Sequence, residues 1–344
     1  MEKEAILANR WADEPARNLL RLLAGLKHRT DKKVISGQFV CPHYGRPEHG
    51  LPDVQAAWSY HIEQLQRDAG RYVGMVGFDP VDRTYLGGDA TRNMPRFESF
   101  RELASQYHSQ GGLIHLTWHA PNPWTSGHSW STIPAGGALS DLITPGHAAH
   151  EQWMAWLDAM ADGLEWFRQR RISLIWRPLH ELNGNWFWWG HGSHEHYVSV
   201  YRHMFDYFTI RRGLNNLLWC WSPDLSVKLG SATKSRYPGN DVVDIIGFDR
   251  YADHYTESSY YEEYRNERYG KVLALTEAGQ SKGSANYDTT NLLEEIRRYY
   301  PEIAFFMFWM KTETDFSIVG NGDGRKLLLN PLVCNREDIE GYST

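Results

Sequence analysis

Short apolar runs recur along this chain at fairly even intervals, and stretches with apolar residues at helical spacing lie between them. Strands are predicted at about 33–39, 72–79, 113–119, 172–181, 217–222, 242–251, 272–277 and 303–311. Helices are predicted among them at about 54–67, 96–110, 147–170, 195–211 and 291–299. Eight strands alternating with helices over 344 residues read as a (β/α)8 TIM barrel, an α/β fold in one domain spanning 1–344. An open doubly wound sheet fits less well, because no glycine-rich phosphate turn follows any of the strands. Two segments depart from the repeat. Residues 1–31 carry Leu19, Leu22, Leu23 and Leu26 behind Asp13 and Pro15, and are expected to form a helical cover over one end of the fold. Residues 120–146, with Pro121, Pro123, Trp124 and Trp130, are long for a βα connection and are expected to lie over the barrel mouth.

Composition narrows the partners. A net charge of −6 without any basic run argues against nucleic acid or an anionic membrane. The longest apolar run, Ile303 to Met310, is too short to span a bilayer. Three cysteines, Cys41, Cys220 and Cys334, form no CxxC pair, which argues against a disulfide framework or a zinc knuckle. The N-terminus, MEKEAILANRWADEP, lacks the basic-then-apolar pattern of a signal peptide. A chain starting natively at Met1 is therefore expected to stay inside the cell, unless a signal has been removed. A monomer is expected. The compositional excess is aromatic, with 15 Trp and 19 Tyr.

Much of that excess gathers in one stretch, WRPLHELNGNWFWWG (176–190), which begins as an apolar strand and ends as a loop. Pro178 breaks a helix and is out of place inside a hydrogen-bonded strand, so Arg177, His180 and Glu181 fall where the strand runs out. Beside them Trp186, Phe187, Trp188 and Trp189 supply flat apolar faces, and Gly184 and Gly190 let the backbone turn. A carboxylate next to indole faces suits a sugar: the rings stack on its C–H face and the acid handles its oxygens.

Other strand ends add polar groups: His119 after the third, Asp249 and Tyr251 on the sixth, Glu277 on the seventh and Trp309 on the eighth. Polar residues at the C-terminal tips of barrel strands read as catalytic. Glu181 and Glu277 are separated by about three βα units of roughly thirty residues each, which sets them on the fourth and seventh strands across the mouth. Two carboxylates there suit glycoside hydrolysis, and a gap of about 5–5.5 Å goes with the retaining route. The metal reading is weaker. The HGSHEH cluster (191–196), or His115 with His119, offers nitrogen donors, but neither HExxH nor a strand-borne HxH opening is present, so no metal or cofactor is expected.

The pieces VISGQF (34–39), VGFD (76–79), WHAPNP (118–123), RPLHELNGNWFWWG (177–190), DIIGFDRY (244–251), TEAG (276–279) and FMFWMK (306–311) together resemble glycoside hydrolase family 26. The likeness covers nearly the whole chain, in order. It implies a retaining barrel hydrolase, most members being secreted endo-β-1,4-mannanases. It implies Glu181 as acid/base and Glu277 as nucleophile. His119 and His180 would hold the sugar on the glycone side of the cleaved bond, Tyr251 would orient the nucleophile with Asp249 close by, and Trp186 and Trp309 would wall the subsites on either side of that bond. Arg177, Trp189 and Trp124 are further expected substrate-binding residues. Ala278 stands where many relatives have Phe. β-1,3-Xylanases and mixed-linkage β-glucanases share the machinery and remain the rival substrates; a sugar-binding barrel without catalysis is the rival class.

Overall fold

The computed structural model describes residues 6–31, 33–41, 50–81, 94–228, 230–266, 269–281, 287–321 and 323–339. β1 is built from Val34–Ile35 and Gly37–Phe39; it is followed by β2 (Met75–Phe78), β3 (Leu113–Trp118), β4 (Leu174–Pro178), β5 (Leu217–Trp221), β6 (Ile245–Tyr251), β7 (Val272–Gly279) and β8 (Ile303–Phe308). Each strand pairs in parallel with the next, and β8 returns to β1 with Ile35 opposite Phe305 and Gln38 opposite Phe308. The sheet is therefore closed. This is a (β/α)8 barrel, with a short ninth strand, β9 (Val333–Cys334), added beside the start of β1.

Strand alternation sorts the side chains. Outward residues such as Ile114, Leu116, Trp176, Trp219, Ile246 and Phe248 join the main core under the surrounding helices. Inward residues near the strand starts, Ile35, Met75, Leu113, Ile175, Leu218, Ile245 and Phe305, form a second apolar cluster. Helix α1 (Glu14–Leu26) completes that cluster with Leu19, Leu20, Leu23 and Leu26, while Leu22 is only partly buried. Its start is set by Asp13, whose carboxylate accepts the Ala16 N–H at 3.0 Å. Each buried leucine contributes about 1.5–3 kcal/mol, so α1 is a substantial plug in the end away from the site. The first five residues of the expected cover lie outside the described residues.

Several boundaries differ from the pattern reading, for local reasons. β4 stops at Pro178, short of the expected 181, because Leu179 and Glu181 take left-handed conformations with φ of 50° and 51°. The helix expected at 195–211 is His194–Asp206 followed by a π turn, Tyr207–Arg211. β8 ends at Phe308, which leaves Trp309 and Lys311 in the loop beyond it.

The segment 120–146 is tied down by its own polar groups. The Asn122 amide donates to Ser131 Oγ (2.8 Å) and the Thr132 carbonyl (3.0 Å), and its oxygen accepts the Trp124 N–H (3.0 Å). Asp141 accepts the Trp124 indole N–H at 3.0 Å and the Ala138 N–H at 2.8 Å. A 3-10 turn, Leu139–Ile143, buries Leu139 and Leu142. Among the described residues no helix is long and apolar enough to cross a membrane.

Candidate active site

The polar centre forms where β3 to β7 end. Arg177, the last inward residue of β4, is fully buried and its guanidinium forks between two carboxylates. Its Nη1 donates to Asp249 Oδ2 at 2.7 Å, and its Nη2 donates to Glu277 Oε1. Burial opposes this charge, but Asp249 and Glu277 outweigh it and hold the guanidinium protonated. Asp249 also accepts from Ser222 Oγ (3.0 Å) and Thr276 Oγ1 (2.7 Å). The second oxygen of Glu277 accepts the Tyr251 hydroxyl at 2.6 Å. Glu277 is thus braced from both sides.

An irregularity in the sheet makes this possible. Phe248 pairs with Leu275 and Asp249 with Glu277, so Thr276 is an extra residue on β7. Thr276 and Glu277 consequently both reach the barrel interior, one on Asp249 and the other on Arg177. Gly247 yields the space, since a Cβ there would stand 2.4 Å from Thr276 Oγ1.

Glu181 sits in different surroundings. It is 8% exposed, accepts the Trp186 indole N–H at 2.5 Å, and its backbone N–H donates to the Ser222 carbonyl at 2.7 Å. Burial raises its pKa well above the ordinary carboxylic range, and the nearby Asp249, Glu277 and Asp224 carboxylates push it in the same direction. The Trp186 hydrogen bond pulls the other way. Glu181 therefore keeps its proton to higher pH than an exposed carboxyl would.

The left-handed Leu179 and Glu181 cost about 1–3 kcal/mol each and need support from outside the strand. Three side chains hold carbonyls at and just after these residues. Tyr197 donates to the Leu179 carbonyl (3.1 Å), Trp189 to that of His180 (2.6 Å), and Arg236 to that of Leu182. The loop closes where Gly190 meets the Gly184 carbonyl, leaving no room for a Cβ.

Beside Glu277 runs a chain of hydrogen bonds. Thr117 Oγ1 lies 3.4 Å from His180 Nδ1, His180 Nε2 lies 3.0 Å from His119 Nε2, and His119 Nδ1 lies 2.8 Å from Asp79 Oδ2. One proton assignment satisfies this chain with both rings neutral, each donating onward toward Asp79. Trp309 packs against His119 and Phe39 at ring distances of 5.7 and 4.7 Å, and the Gln38 amide fixes its carbonyl at 2.8 Å.

Of the expected site residues, Glu181, Glu277, His119, His180, Asp249, Tyr251, Trp186 and Trp309 converge, and Arg177 stands behind them. Two of the expected substrate-binding residues have no open surface in the structure. Arg177 is fully buried with its fork taken by carboxylates, and Trp189 is fully buried, stacked on Phe187 at 4.4 Å. Both position other groups. Asp249 and His180 are likewise fully buried, so Glu181, Glu277, His119, Tyr251, Trp186 and Trp309 make up the accessible front. Trp124 lies further out, partly buried, with its ring 5.7 Å from Trp188. The pattern reading missed Asp224, Ser222, Thr276, Tyr197 and Arg236; only the position of Ser222 and Asp224 just past a strand end signalled them.

His115 is buried a layer below, against Phe39, and His194 and His196 lie on their own helix, so neither metal candidate assembles. Among the described residues the groups of metal-ligand type that converge are His180, Asp249 and Glu277. Arg177 already supplies the cation those two carboxylates need.

The profile of glycosyl hydrolase family 26 matches residues 9–338. The mannan endo-1,4-beta-mannosidase A and B of Caldalkalibacillus mannanilyticus is 31% identical over 98% of this chain, which spans 63% of that relative. A mannan endo-1,4-beta-mannosidase of Bacillus subtilis is 28% identical over 95% of this chain and 88% of its own. In fold, the chain is similar to the Bacillus subtilis mannanase man26, with a TM-score of 0.84, 23% identity, and coverage of 99% and 98% of the two chains. With the family profile matched from residue 9 to residue 338 on an eight-stranded closed barrel, the chain belongs to glycosyl hydrolase family 26.

Proposed function

We infer that this chain is a retaining endo-β-1,4-mannanase, cleaving internal β-1,4-mannosidic bonds of mannan, glucomannan or galactomannan. Its membership of family 26 and its mannosidase relatives support the substrate class. The observation that carries the chemistry is the contrast between the two glutamates. Glu277 is braced by hydrogen bonds from Arg177 and Tyr251, whereas burial and the neighbouring carboxylates raise the pKa of Glu181.

The first step follows from that contrast. Glu277 attacks the anomeric carbon while Glu181 gives its proton to the departing glycosidic oxygen. A covalent mannosyl ester forms on Glu277, and the carboxylate charge there is lost. One of the charges holding the Glu181 proton has then gone, so Glu181, now deprotonated, takes a proton from the incoming water. Water attacks the anomeric carbon, the bond from that carbon to Glu277 breaks and Glu277 leaves as carboxylate, so that two inversions leave the anomeric configuration retained. Trp186 holds the Glu181 carboxylate in place through both steps, and Tyr251 keeps Glu277 aimed. Trp309 and His119 line the sugar on the glycone side, with His180 holding His119 from behind.

Reducing-sugar release from glucomannan, galactomannan, β-1,3-xylan and mixed-linkage β-glucan tests the substrate, and proton NMR of the first product tests the stereochemistry. Release from the mannans with a β-anomeric initial product is expected. Release confined to xylan or glucan would overturn the substrate, and silence on all four would overturn the hydrolase reading.

A further inference from the structure

We propose that Phe316, in the loop that follows β8, is a positioning residue for the nucleophile: its ring seats that of Tyr251 and so sets where the Tyr251 hydroxyl holds Glu277. The inference rests on the reading of Glu277 as the nucleophile of a retaining mannanase. The two rings meet edge-on, 5.1 Å apart at 70°. Both press on Gly279, the last residue of β7, where a Cβ would stand 3.2 Å from Phe316 Cδ1 and 3.2 Å from Tyr251 Cδ1. Tyr251 ends β6 and pairs with Gly279, and from there its hydroxyl reaches Glu277 Oε2 at 2.6 Å.

The loop holds Phe316 in place from both sides. Asp315, the residue before it, is bound at every oxygen. Its Oδ2 accepts the Tyr60 hydroxyl at 2.5 Å, from a π turn at Ser59–Glu63. Its Oδ1 accepts the Ser317 N–H at 3.1 Å and the Ser317 hydroxyl at 2.5 Å. Its carbonyl accepts the Gln280 amide at 2.6 Å, from just past β7. Gly320 closes over the carboxylate, and a Cβ there would collide with it. Two residues after Phe316, the Ile318 N–H donates to Gln38 Oε1 at 2.9 Å, and the same side chain holds the Trp309 carbonyl. Groups from β1, the π turn and the end of β7 thus converge on a loop whose ring rests on Tyr251.

A phenol ring swings about its own side-chain bonds, and the oxygen at its tip moves furthest. Tyr251 can therefore hold a Glu277 oxygen only as firmly as its own ring is held. The stake is large, because a misplacement of about 1 Å costs on the order of a hundredfold in rate. Phe316 acts through Tyr251 and not on the sugar, and that sets it apart from a residue that binds substrate.

The test is a double-mutant cycle. The kcat/KM, which reports the step in which Glu277 attacks, is measured for the wild type, Phe316→Ala, Tyr251→Phe and the double variant, with folded protein counted by circular dichroism. The substrates are mannopentaose and a dinitrophenyl β-mannobioside, whose leaving group departs without the Glu181 proton. Phe316→Ala is expected to lower kcat/KM on the order of tenfold on both substrates, with the Kd for mannotriose changed by less than about twofold. In the Tyr251→Phe background the same change should cost less than about twofold, because the hydroxyl it positions is gone. Phe316→Tyr keeps the ring and should restore most of the rate. Equal losses in the two backgrounds, or a loss confined to mannopentaose, would mean that Phe316 does not act through Tyr251 and would overturn the proposal. No loss in Phe316→Ala, with an active wild type, overturns it alone. A wild type inactive on both substrates would overturn the mannanase reading and this inference with it.

Discussion

The same eight strands end in two unlike environments. At their starts the inward residues are Ile35, Met75, Leu113, Ile175, Leu218 and Ile245, sealed by the leucines of α1. At their tips the inward residues are Arg177, Ser222, Asp249, Thr276 and Glu277, every one hydrogen-bonded. The first end is held by area removed from water, which tolerates small changes at a cost proportional to volume. The second is held by charges whose removal singly leaves a buried partner uncompensated. Stability and chemistry are thereby separated along the barrel axis, and substitutions at the two ends should be separable by what they change.

The largest effect belongs at the mouth. Glu277→Ala is expected to cut turnover by about 10⁴-fold or more, while manno-oligosaccharide binding stays measurable by calorimetry. A rate near that of the wild type would remove Glu277 from the chemistry. Arg177→Met should cost about 3–5 kcal/mol in urea unfolding, since Asp249 and Glu277 would lose their shared cation, and turnover should fall with it. Leu23→Ala in α1 should cost about 2–5 kcal/mol, yet leave kcat/KM per folded molecule unchanged. A matching loss of kcat/KM would show that the two ends are coupled.

The smallest effects sharpen the electrostatics. On the proposed mechanism Glu181 must carry its proton to act, so its pKa would set the alkaline limb of kcat/KM. Asp224→Asn removes a neighbouring negative charge, makes deprotonation easier, and should move that limb to lower pH. Trp186→Phe removes a donor that favours the carboxylate, and should move the limb to higher pH even as activity falls. Shifts of the same sign in both variants would contradict this account of the Glu181 environment.

The barrel and its two glutamates were legible because strand order and loop length alone carry them. Eight apolar runs at regular spacing leave little freedom in how the sheet closes, and a carboxylate just past a run has to emerge at its tip. What the pattern hid was which side of the site each residue occupies. Trp186 and Trp189 stand three apart in one aromatic stretch and look interchangeable there. One donates to Glu181 from a partly open position, the other is sealed beneath Phe187 and props the His180 carbonyl. Their difference arises from the left-handed turns at Leu179 and Glu181 and from Tyr197 and Arg236, which come from later in the chain. The burial of Arg177 was hidden for a related reason. A guanidinium one residue before the strand end reaches its carboxylates only because β6 and β7 deliver them to the same height.

That delivery depends on the extra residue on β7, and it has a consequence for how such a site is inherited. With strict alternation, Thr276 and Glu277 would point to opposite faces, and no exchange of side chains could bring both inside. The arrangement is a property of residue count. Deleting Thr276, the one residue between Leu275 and Glu277, would leave both glutamates in place and still remove the contact to Asp249 beside Glu277. For this strand, gaps carry more functional information than mismatches, and an alignment that scores TEAG as four interchangeable columns would overlook the event that matters most.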